Sequence, residues 1–168
     1  DDEEDGADEG DDRILAFATR SNLEHLSQCD MWFMDRTFKA CPALFSQIYS
    51  VNGMKDGRTF SFIFAFFAKT QFIYNTFLGE LKATAEEVGV ELNPRHIMVD
   101  FEQAAITAIK TAFPNARVHA CLFHLGQNVY RRLQGEGLAA QYRDNEAVSL
   151  AIKKLLALSF LPPEDVPQ

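Results

Sequence analysis

Two spacings of apolar residues alternate along the chain. Short continuous or every-other-residue runs fit strands, and longer runs at i, i+3, i+4 fit helices. Residues 13–19 alternate in part and predict an edge strand. Residues 21–29 predict a short helix or loop, with Ser21 as N-cap and Glu24 three residues later forming a capping box. Met31, Trp32, Phe33 and Met34 then run straight into Asp35, predicting a first central strand over 31–39 that is buried on both faces and is broken by Cys41-Pro42. Residues 44–52 predict a second strand, Asp56-Gly57 marks a turn, and 59–68 predict a third strand whose phenylalanines read as core. Three strands with short connections make an antiparallel meander. Phe72, Ile73, Phe77 and Leu81 give residues 70–88 helical spacing, and Gly89 is a fitting stop. A strand over 95–100 follows Pro94. A helix over 101–113 presents Ala104, Ala105, Ala108, Ile109 and Ala112 as a small face for close packing. A fifth short strand over 116–121, a helix over 122–133 interrupted by Gly135 and Gly137, and an amphipathic helix over 147–160 stopped by Pro162-Pro163 complete the pattern.

Three antiparallel strands followed by helix, strand, helix, strand, helix is the arrangement of an α/β, ribonuclease H-like mixed sheet with flanking helices. In that arrangement the strand from Met31 pairs with the strand from Arg95, and Asp35 meets Asp100 at the sheet centre. Both acids stand at the end of an apolar run, the second in His96-Ile97-Met98-Val99-Asp100-Phe101-Glu102. A buried strand has little reason to carry a carboxylate unless it lies near the open end or binds something. Two acids held close suit a hard divalent cation.

Composition changes this picture in three places. The formal charge of -8 is concentrated at the start, where residues 1–12 carry nine acidic groups and no base; the remainder holds 15 acidic and 16 basic residues, a net +1. The expected organisation is a disordered acidic segment (1–12), a folded domain (13–161) and a proline-rich tail (162–168). The folded part is not the basic surface of a dedicated DNA-binding module, but it does not repel nucleic acid either. Three cysteines with no C-x-x-C pair argue for a reducing compartment. No apolar run approaches the ~18 to 20 residues that span a bilayer. The first residue is not Met, which leads to the expectation of an excerpt from a longer protein.

The stretch from Trp32 to Lys39, then Pro42-x-x-Phe45-x-Gln47-x-Tyr49, then Met98 to Glu102, then Cys121-x-x-His124, resembles the Mutator-like (MULE) transposase domain, a DDE transposase with a ribonuclease H-like fold. The resemblance implies metal-dependent cutting and joining of DNA, in the nucleus, on transposon ends and target, by an enzyme able to form homo-oligomers. It places the first two acids of a catalytic triad on Asp35 and Asp100, with Mg²⁺ or Mn²⁺ as cofactor, and a Cys-x-x-His element on Cys121 and His124. Two departures are expected to matter. The family has Gly after the first aspartate, and here Arg36 stands there, able to clash, to pair with Asp35 in place of a cation, or to meet a phosphate. The family's third acid lies beyond a helical insertion, and this chain ends at Gln168 before it, with Glu164 and Asp165 poor substitutes. The fragment alone is therefore expected to be inactive.

Other residues carry double readings. Glu102 is either well placed in a helix dipole or a further ligand. His119, Cys121 and His124 form H-x-C-x-x-H, but zinc wants a fourth ligand and none is obvious, so zinc is not expected. Arg131 and Arg132 after Tyr130, and Lys153-Lys154, are solvated helix faces or phosphate contacts giving salt-sensitive affinity. The rival function is a domesticated, non-catalytic DNA- or protein-binding module.

Overall fold

The computed structural model describes residues 13–37, 41–68 and 70–166, so the acidic run over 1–12 and its expected disorder lie outside the described residues. The chain divides into two compact units, residues 1–119 and 120–168.

The first unit is a six-stranded mixed sheet with three helices. In chain order it comprises β1 (Leu15–Phe17), α1 (Arg20–Ser27), β2 (Met31–Thr37), β3 (Gln47–Lys55), β4 (Arg58–Phe67), α2 (Gln71–Glu87), β5 (His96–Val99), α3 (Gln103–Ala112) and β6 (Arg117–Ala120). The strand order is β1-β4-β3-β2-β5-β6. β2, β3 and β4 form the antiparallel meander, β1 adds antiparallel to the edge of β4, and β2 pairs parallel with β5. The β3–β4 turn is the two residues Asp56 and Gly57, with φ of 52° and 72°, which the Asp-Gly pair tolerates and most residues do not.

Alternation sorts the strand residues. Trp32 and Met34, Tyr49 and Val51, Ile63, Ala65 and Phe67, and Ile97 and Val99 are buried together with Ile73, Tyr74, Phe77, Ala105, Ala108 and Ile109 from α2 and α3. β2 is thus buried on one face, not on both: Met31 and Phe33 are only half-buried. β4 likewise splits. Phe62 and Phe67 are buried, whereas Phe60 and Phe64 are exposed, so the third strand is not uniformly core. A bulge disturbs the alternation, because Val51 pairs with Ile63 but Asn52 with Ser61. The extra residue, Phe62, turns inward beside Ile63, and its carbonyl accepts from Asn22 Nδ2 of α1 at 2.6 Å.

Helix ends follow local chemistry. α1 is capped by Thr19, whose hydroxyl accepts from the Asn22 N–H at 3.1 Å, rather than by Ser21. Glu24 pairs with Arg20 one turn back instead of closing a capping box. α2 starts at Thr70, which caps the Ile73 N–H, and stops at Gly89 with φ of 75°. There Gly89 N–H donates to Glu86 O and Val90 N–H to Ala85 O, a Schellman closure that the glycine makes possible. The small face of α3 lets it pack closely on α2, and Lys82 of α2 donates to Ala112 O at 3.0 Å, satisfying a carbonyl at the end of α3.

The second strand begins at Gln47, not Leu44, and runs on to Lys55. The second unit contains α4 (Leu122–Gly135), α5 (Ala139–Asp144) and α6 (Glu146–Ala157). α5 has no counterpart in the apolar periodicity, being a six-residue turn of helix after Gly137, whose φ is 72°. Tyr130 of α4 meets Tyr142 of α5 edge-on at 6.1 Å, and Leu133 is buried. Asn145 caps α6. Among the described residues no helix is long and apolar enough to cross a membrane.

Candidate functional site

The site forms where β2 and β5 end. In the parallel register Met31 lies opposite His96, Trp32 opposite Ile97 and Phe33 opposite Met98. Continuing that offset brings Asp35 level with Asp100, on neighbouring strands about 4.8 Å apart. Apolar residues drive both strands into the sheet centre, and the acids follow as each strand reaches its open end. Asp35 is exposed and Asp100 is buried.

Two contacts fix Asp100. Its Oδ1 accepts the Glu102 N–H at 3.0 Å, tying down the turn into α3. Its Oδ2 lies 2.5 Å from Arg36 Nε. The same guanidinium donates through Nη1 to Glu102 Oε2. One arginine therefore bridges two carboxylates that are two residues apart at the mouth of β5. Burial works against the Arg36 charge, but Asp100 and Glu102 outweigh it and raise its pKa above the ordinary value. Glu102 is the residue preceding α3, yet its side chain makes no capping hydrogen bond. Its carboxylate serves Arg36 instead, so the sequence expectation of a helix-dipole acid captures its place and not its partner. Of the roles expected for Arg36, pairing with a carboxylate is seen with Asp100 and Glu102, residues far from it in the chain.

Behind the acids lies a buried polar group that their motif does not announce. Tyr49 of β3 stands opposite Arg36 and is almost fully buried. Burial pushes its hydroxyl pKa well up, Tyr74, Asp100 and Asp35 add to this, and Arg36 opposes it. Asp35, Asp100 and Arg36 thus share the neighbourhood of one phenol. Tyr74 of α2 is raised to about 12, chiefly by burial, against the hydrogen bond from Gln47. Gln47 is fully buried and donates through Nε2 to Tyr74 Oη at 3.0 Å. A visible signal existed for these residues, since Gln47 and Tyr49 are polar-tipped side chains at the buried parity of a strand.

Carboxylates at the ends of adjacent parallel strands match the hard oxygen donors that Mg²⁺ and Mn²⁺ take, with water and phosphate oxygens supplying the rest. The described residues hold no cluster of three or more His, Cys, Asp and Glu able to take a metal. Among the described residues the site brings two acids together, with Glu102 joined to Asp100 through Arg36.

The remaining predicted residues lie elsewhere. His119 of β6 sits with its Nε2 3.0 Å from Nδ1 of His96 on β5. Burial, His96 and Arg117 lower its pKa below the ordinary 6.5. A histidine with a lowered folded pKa contributes stability above pH 6.5, and that contribution is lost as pH falls from 6.5 through the folded value, because the unfolded chain binds the proton first. Thermal unfolding is expected at lower temperature at pH 5.5 than at pH 7.5, and His119→Gln is expected to flatten that dependence. An unchanged slope in the variant would assign the titration to other groups.

Cys121 is the residue before α4 and His124 lies in its first turn. Arg131 and Arg132 are exposed on α4, with Arg132 paired to Glu136 at 2.7 Å, one turn on. Lys153 and Lys154 are exposed on α6. Cys29 is buried and free, and Cys41 and Cys121 are free and half-buried.

No curated protein matches the chain. A model of the MULE transposase domain family matches residues 31–128, more than half of the chain, including β2 with Asp35 and the segment after β5 that holds Asp100 and Glu102. With the matched span containing the meander, the parallel pair and both acids, this chain belongs to the MULE transposase domain family.

Proposed function

We propose that the chain is part of the catalytic core of a Mutator-like DNA transposase, ribonuclease H-like in fold and acting in the nucleus on transposon ends and target DNA. The observation that carries this reading is the parallel register of β2 and β5, which, continued past Phe33 and Met98, would bring Asp35 level with Asp100. Asp35 and Asp100 would hold Mg²⁺ or Mn²⁺, which when bound activates the attacking oxygen and steadies the leaving oxygen at phosphorus. The chain's own part is to fix the acids. Asp100 is oriented by the Glu102 N–H and by Arg36, and both strands are anchored by the packed side chains behind them. Arg131 and Arg132 would meet phosphate, supplying affinity that falls as salt rises.

Because the described residues bring together two acids and no larger ligand cluster, the 168-residue chain alone is expected not to nick DNA. Supercoiled plasmid incubated with the purified chain and Mg²⁺ should remain supercoiled. In the intact transposase, Asp35→Asn or Asp100→Asn should reduce strand transfer roughly a thousandfold or more, since several kcal/mol of transition-state stabilisation is lost. Normal transfer by either variant would remove these residues from the chemistry.

A second reading has one specific observation in its favour, the Arg36 bridge between Asp100 and Glu102. A guanidinium seated on the acids suits a domesticated, non-catalytic DNA- or protein-binding module. That reading predicts DNA binding that weakens with salt but is indifferent to EDTA and to Asp100→Asn.

A further inference from the structure

We propose that Arg36 is a tethered counter-cation that competes with the divalent ion for Asp100, so that cation binding at the acid pair requires the guanidinium to move away. The inference rests on the assignment of Asp35 and Asp100 as the cation ligands.

Alternation along β2 starts the argument. Asp35 has the parity of Phe33, whereas Arg36 has the parity of the buried Trp32 and Met34 and stands opposite Tyr49. An arginine of that parity at the last turn of a strand cannot extend into the packed side chains. It must run along the sheet end, where the nearest anions are Asp100 and Glu102. Its fork fits them both, Nε on Asp100 and Nη1 on Glu102, which is the planar two-donor recognition that arginine makes and lysine does not. The side chain is about one-fifth exposed, and that of Asp100 about one-tenth, so the pair is only weakly screened by water.

The consequence is a conflict over Asp100. Of its two oxygens, Oδ1 holds the Glu102 N–H and Oδ2 holds Arg36. A divalent ion approaching Oδ2 meets the Arg36 charge at a few ångströms, where like charges repel strongly at the edge of a protein. Either the ion stays away or the arginine leaves. A chain with this arrangement binds cations more weakly at Asp100 than its carboxylates alone would allow. The released guanidinium is then free to meet a phosphate, the other anion that its fork fits.

The test is Mn²⁺ binding to the 168-residue chain, read by the loss of the free-ion EPR signal and by calorimetry, with folding of each variant checked by circular dichroism. Arg36→Gln removes the charge at similar size, and Arg36→Lys keeps the charge without the fork. The expected result is weak binding by the parent chain and by Arg36→Lys, binding about tenfold tighter or more by Arg36→Gln, and loss of that gain in Arg36→Gln with Asp100→Asn. If the parent and Arg36→Gln bind Mn²⁺ equally, and Asp100→Asn weakens both, the acid site stands and Arg36 is not its competitor. If Arg36→Gln binds no Mn²⁺, or binds it regardless of Asp35→Asn and Asp100→Asn, the acid-site assignment itself falls and the competition with it.

Discussion

Trp32→Ala is expected to remove a large share of the first unit's stability. Trp32 is fully buried near the start of β2, the strand that carries Asp35. Its indole N–H donates to Leu26 O at 3.2 Å and to Cys29 O at 3.0 Å, tying the end of α1 to the sheet. Its ring meets Phe113 edge-on at 5.4 Å, just after α3. The residue therefore joins a strand, the exit of one helix and the exit of another. Truncation of a buried tryptophan costs roughly 3–5 kcal/mol, a large share of the about 5–15 kcal/mol that holds a domain of this size together. Trp32→Phe retains most of the apolar volume but removes the indole donor from Cys29 O and from Leu26 O, the latter still accepting from the Cys29 N–H, at about 1–3 kcal/mol. Urea unfolding followed by circular dichroism should rank parent, Phe and Ala in that order. An alanine variant within 1 kcal/mol of the parent, a value below the cavity cost of any large core residue, would show that this packing is not what holds β2 in place.

Gly53→Ala is the second large effect, in the opposite sense of adding one carbon. Gly53 lies opposite Trp32 in β3. A Cβ there would stand 2.7 Å from Cys29 Sγ, 2.9 Å from Cys29 Cβ and 3.0 Å from Phe62 Cε2. The Cys29 Cβ is fixed by its backbone, and Phe62 is held by the bulge, so neither can yield as a flexible side-chain tip would. Relief from glycine's backbone entropy favours alanine in a strand by roughly 0.5–1 kcal/mol. Overpacking of this kind costs typically about 1–3 kcal/mol and outweighs it. The expected result is a lower urea midpoint for Gly53→Ala and a further fall for Gly53→Val. Cys29→Ala in the same chain removes the Sγ contact and should recover part of the loss. Equal losses with and without Cys29→Ala would place the strain elsewhere.

Both effects concern the packed face of the sheet, and that face explains what could be read early. The meander, the Asp56-Gly57 turn, the Gly89 stop and the small-residue face of α3 were all legible because each depends on residues adjacent in sequence or on a single period. The pairing of the Met31 and Arg95 strands was legible too, as two apolar runs ending in acids. Less legible were features decided by partners. Thr19 caps α1 in place of Ser21 because the chain turns helical at Arg20, two residues earlier than the hydroxyl-acid spacing suggests. β3 starts at Gln47 because that is where β4 offers it Phe67. The phenylalanines of β4 divide between a packed and an open face because helices cover one side, which composition alone cannot reveal.

The same division holds at the site. The amino-acid sequence by itself determined the two apolar strands, the carboxylates at their ends and the arginine in place of glycine, since these are matters of residue type and order. Only the tertiary structure decided which anions Arg36 holds. Its guanidinium reaches Asp100 and, 66 residues away, Glu102. The register of two parallel strands places those acids within its span, and a partly buried arginine must satisfy its donors where the fold presents oxygen.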